Sequence, residues 1–79
     1  MLDLTDRHPA TRQAMLRLTP NPGLSGPAAD VARVLWDASK DLVERLNDGP
    51  ELSDGLRKLW EAKNCLVFQA LLDAGAVHE

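Results

Sequence analysis

The sequence holds one cysteine, no tyrosine and two histidines, and each scarcity removes a class of protein. With Cys65 alone there is no disulfide framework, so a domain this small must be held by packing or by self-association. His8 and His78 lie near opposite ends of the chain, which leaves no zinc-ligand spacing and no Ser/His/Asp constellation. Alternating runs of β-branched residues are missing, so strands are not expected. No apolar run reaches the roughly 18 residues of a membrane span. The opening Met1-Leu2-Asp3-Leu4-Thr5-Asp6-Arg7 has no signal-peptide pattern, and a soluble cytoplasmic protein with no membrane partner is expected. A basic stripe is also wanting. Residues 1–26 carry a net charge of +1 and residues 27–79 a net of −4, so DNA and RNA are not expected partners. A small anion held by a few convergent cations is compatible with this balance.

What is present reads as helix. The 79 residues make one domain, 44% hydrophobic and 27% charged. A chain of this length buries only roughly 60% of its unfolded surface. Pro20-Asn21-Pro22-Gly23, Gly26-Pro27, Asn47-Asp48-Gly49-Pro50 and Gly75 punctuate it into three helical stretches, about 9–18, 27–46 and 51–74, with loose ends at 1–6 and 75–79. Pro9 suits a first helical position and Gly75 a left-handed stop. In the second stretch Val31, Val34, Leu35, Leu42, Val43 and Leu46 share one broad face with Ala32 and Ala38, while Asp30, Asp37, Asp41 and Glu44 lie opposite. Ala28 and Ser39 fall near the centre of that face, where small side chains allow close approach. The short connection before Pro50 predicts an antiparallel hairpin of the second and third helices.

The third helix is irregular in two ways. Its first half has a polar reverse face in Asp54, Arg57, Lys58 and Glu61, but in its second half Cys65, Phe68 and Leu72 occupy that side. A surface apolar nearly all round predicts an interface, and a homo-oligomer is expected; the other way to cover it is for the first helix to fold over it. The second irregularity is Lys63, which projects from the apolar face between Leu59 and Leu66. A buried ammonium needs a partner, so Lys63 either meets a ligand anion, pairs with an acid of the second helix or snorkels to water.

Catalytic and metal patterns are missing, and neither an enzyme nor a cofactor is expected. Pro22-Gly23-Leu24-Ser25-Gly26 lacks the lysine and the preceding strand of a phosphate loop. Cys65, in the middle of an apolar helix, reads as a packing residue. Trp36 and Trp60 sit at the edges of their apolar faces, as core or interface anchors able to stack on a base.

Two segments carry a resemblance. Asp48 to Val67, with its Gly-Pro turn followed by Leu-Arg-Lys-Leu and Glu-Ala-Lys, resembles a recurrent segment of small phage proteins, the anti-CBASS/anti-Thoeris hairpin family of cyclic-nucleotide sponges. Arg7-His8-Pro9-Ala10-Thr11-Arg12 resembles the N-terminal box of the same family. The resemblance implies a short helix plus a long helical hairpin, interlocked as a homohexamer in the host cytoplasm. Cyclic di- or trinucleotides, or cyclised ADP-ribose, would be held between protomers and not degraded. It assigns ligand-binding positions to Arg57, Lys58, Lys63 and Asn64 on the third helix and to Arg7, His8 and Arg12 in the box. Asn64 replaces a common Asp, Phe68 replaces an Arg, and no aromatic residue ends the first helix. The alternative function is a helical, oligomeric interaction module or phage regulator that binds a host protein through its apolar third helix.

Overall fold

The computed structural model describes residues 3–75, which form helices, turns and connections with no strand among them. Three helices follow one another: α1 (Pro9–Leu18), α2 (Gly26–Arg45) and α3 (Pro50–Asp73). Each boundary lies within one residue of the position that the punctuation predicts. A proline stands in the first turn of all three helices, where its missing N–H costs nothing. Before Pro9, His8 Nδ1 accepts the Ala10 backbone N–H at 3.0 Å and caps α1. Gly26 enters α2 at φ 62° and Gly75 leaves α3 at φ 75°, both in the left-handed region where glycine is unstrained. The Gly75 N–H donates to the Leu72 carbonyl at 3.0 Å and closes the last turn.

Met15, Leu18, Val43, Leu52 and Leu56 form the core, with Leu4, Ala14, Trp36, Leu59 and Trp60 packed around it. All three helices contribute, and α1 lies mainly on α3. Two buried hydroxyls are satisfied: Thr11 Oγ1 donates to Asp48 Oδ1 at 2.8 Å, and Ser39 Oγ to the Leu35 carbonyl at 2.7 Å. Residues 3–6 make a hydrogen-bonded turn, with Leu4 against the core and the Asp3 carboxylate accepting from Thr5. Of the expected loose ends, residues 1–2 and 76–79 lie outside the described residues. No helix among those described is long and apolar enough to cross a membrane.

The broad apolar face of α2 is divided. Ala28, Ala32, Ser39 and Val43 turn inward and are buried, whereas Val34 remains 66% exposed, Leu46 48% and Leu42 37%. The face spans more of the helix circumference than two neighbouring helices can cover. On α3, α1 meets the first half through Met15 and Leu18 and does not fold over the second half. Phe68 and Leu66 therefore stay nearly half exposed. Cys65 is exposed, contrary to its expected packing role, because helical geometry puts it half a turn away from the buried Leu56.

Candidate functional site

Arg7 and His8, the first two positions of the N-terminal box, are engaged by the chain itself. The Arg7 guanidinium donates through Nε to Asp48 Oδ1 at 2.9 Å, and through Nη1 and Nη2 to the Val43 and Leu46 carbonyls, both at 2.8 Å. Those carbonyls close α2 and lack helical donors, so a guanidinium fork supplies hydrogen bonds and opposes the negative end of the helix dipole. Asp48 gathers the segment from the other side. It accepts the His8 backbone N–H at 2.8 Å as well as the Thr11 hydroxyl and Arg7. The His8 N–H, ahead of the Thr11 and Arg7 contacts, holds its carboxyl below the ordinary value against the opposing effect of burial. Box and turn thus form one clamp.

Lys63 repeats the device at the other helix end. Its Nζ donates to the Arg17 carbonyl at 3.0 Å and the Thr19 carbonyl at 3.1 Å, capping the C-terminus of α1. The residue is 9% exposed, and burial pushes the ammonium below its ordinary 10.5. Of the partners that the sequence left open, none is the one found: backbone carbonyls replace the expected anion.

The remaining positions are spread out. Arg12 and Lys58 are exposed, and neither side chain makes an ion pair or hydrogen bond among the described residues. Arg57 pairs along its own helix with Glu61 at 3.0 Å and Asp54 at 3.5 Å. Asn64 shares with Lys63 a notch of about 300 Å³ whose other walls are Val67, Phe68 and Leu71 of α3 and Asn21 and Leu24 of the connection before α2. The single chain does not gather the seven positions into one site.

Two surfaces do gather side chains. Between α1 and α3 runs a groove of about 360 Å³. Its α1 wall is Ala10, Gln13, Ala14 and Arg17, one helical row, and its α3 wall is Ser53, Asp54, Arg57 and Trp60. The Arg17 guanidinium carbon lies 4.7 Å from the centre of the Trp60 ring. Sequence reasoning missed Arg17 and Gln13; the only signal was their spacing of four on α1, the same interval as Ala10 and Ala14. The second surface is apolar and lies between α2 and α3. Leu42 and Leu46 there face Leu52, Gly55 and Leu59, and nearer the other ends of the helices Val31, Val34 and Leu35 face Leu66.

No protein-family model, curated protein or solved structure matches the chain. No three His, Cys, Asp or Glu gather in a metal-holding group among the described residues. The groove offers two guanidinium groups, an indole face and the polar edges of Gln13, Ser53 and Asp54. Those are binding groups, suited to a small ligand with a planar ring and an anionic part.

Proposed function

We propose that the protein is a non-enzymatic sponge: an antiparallel helical hairpin with a short helix across it, self-associated, that sequesters a cyclic nucleotide signal and so blunts host antiphage defence. The observation that carries this reading is the apolar surface between α2 and α3, which no part of the described chain covers. Val34, Leu42, Leu46 and Leu66 are between one third and two thirds exposed. Covering them contributes about 1 kcal/mol each, or roughly 8 kcal/mol for two protomers. That falls within the range of about 4–15 kcal/mol that association costs, so a second interface strengthens the assembly. Val67, Phe68 and Leu71 supply one on another side of α3. Two unlike patches are what a closed assembly larger than a dimer requires, and the resemblance gives the hexamer.

Sequestration also fits the chemistry of the side chains. His8 is tied into a helix cap, and among the described residues no histidine or carboxylate is hydrogen-bonded to Cys65. Without a base beside a nucleophile a bound phosphodiester leaves intact. The test joins mass and recovery. Light scattering on a sizing column should give a mass well above 8.7 kDa, falling to the protomer mass for Leu66→Glu. Incubation with a panel of cyclic di- and trinucleotides should deplete one of them, and heating should release it unchanged. A protomer mass at micromolar concentration, with no ligand depleted, would refute the proposal. It would favour the alternative, a module that docks an amphipathic helix of a host protein on the same apolar surface.

A further inference from the structure

We propose that the groove between α1 and α3 binds one nucleoside phosphodiester unit, its base stacked over Arg17 and Trp60 and its phosphate on Arg57. The inference rests on the sequestration reading and gives it a site within each protomer. It starts from Arg17, which has no carboxylate partner among the described residues and whose guanidinium lies over the Trp60 ring at 4.7 Å. A guanidinium held on an indole keeps its outer face for a second ring, and nucleobases stack on arginine planes as they do on aromatic side chains. The pair is therefore a preformed platform.

Size and charge narrow the ligand. At about 360 Å³ the groove lies at the small end of the range for ligand pockets, room for one base, sugar and phosphate and not for two. Arg17 and Arg57 against Asp54 leave the lining one net positive charge. A phosphodiester within a ring carries one negative charge, whereas a terminal phosphate carries about −1.5 to −2 at neutral pH. The cyclic form is the better match. Arg57 is able to turn to the phosphate because its pairs with Asp54 and Glu61 are more than half exposed and contribute little. Asp54 then accepts from a sugar hydroxyl, and Gln13 meets the edge of the base. Alanine at positions 10 and 14 is what keeps the space open.

The site is tested in a Trp36→Phe background, where Trp60 is the sole indole, by fluorescence titration with cyclic AMP and cyclic GMP. At least one should give a saturable change, with AMP and adenosine weaker. Arg17→Gln and Ala10→Leu, both at exposed positions, should melt like the parent and bind about tenfold more weakly. Arg33→Gln, at an exposed position of α2 outside the groove lining, should bind as the parent does. Absence of any saturable change, or equal binding by Arg17→Gln, overturns the groove. The sequestration reading is judged separately: depletion of a cyclic dinucleotide that persists in Arg17→Gln and Ala10→Leu removes the groove and leaves that reading standing. No depletion by the parent protein removes both.

Discussion

Replacing Lys63 with methionine separates a structural cation from a ligand-binding one. Methionine keeps the unbranched apolar stem and deletes only the ammonium, so packing along α3 changes little. What is lost are two hydrogen bonds, to the Arg17 and Thr19 carbonyls. A hydrogen bond to a charged group contributes about 1.5–3 kcal/mol, and the two carbonyls left behind have no other donor among the described residues. Part of the gain is offset by the burial that pushes the Lys63 pKa down. A net loss of about 2 kcal/mol is expected. The whole domain is worth only about 4–12 kcal/mol, so this is a large fraction. Thermal unfolding followed by circular dichroism should show Tm lowered by roughly 8–16 °C. Lys58→Met, on the exposed side of the same helix, should stay within about 0.5 kcal/mol of the parent. The pH dependence gives a second readout. A lysine depressed in the folded state is the better proton acceptor when unfolded, so its contribution to stability rises between its folded value and the ordinary 10.5. Lys63→Met should lack that rise. If the variant instead melts at or above the parent temperature, the carbonyl cap contributes nothing and the reasoning fails.

The clamp and the entry to α2 give further tests. Asp48 is held below its ordinary 3.8, so its contribution is complete above 3.8 and disappears as pH falls through the lower folded value. The stability difference between parent and Asp48→Asn should therefore vanish toward the acid end of a titration from about pH 6 to pH 2, and a constant difference would contradict the clamp. Gly26→Ala should cost about 1–2 kcal/mol in chemical denaturation through backbone strain alone, since φ is 62° and nothing lies within 4 Å of the added methyl. An unchanged midpoint would mean that the chain enters α2 by another route.

The sequence by itself determined where the helices begin and end. Proline at the first helical turn and glycine at φ 75° act within a few residues, so Pro9, Pro50 and Gly75 could be read without knowing any neighbour. The inward row of Ala28, Ala32, Ser39 and Val43 was also legible, as the centre of a stripe with helical period. Periodicity gives the direction of a side chain but not what stands opposite. It put Val34 and Leu46 on the same apolar face as Val43, yet they are exposed, because covering them needs another helix that α1 is not placed to supply. Arg7 and Lys63 were picked out as cations for a ligand. Only the tertiary structure showed their acceptors to be the carbonyl ends of α2 and α1, lying 36 to 46 residues away along the chain. Arg17 and Trp60 meet for the same reason. They lie 43 positions apart in sequence and come within 4.7 Å only because α1 packs along α3. Local spacing encodes helices, caps and stripes; the partners of a cation and the walls of a groove depend on long-range packing, which no local pattern records.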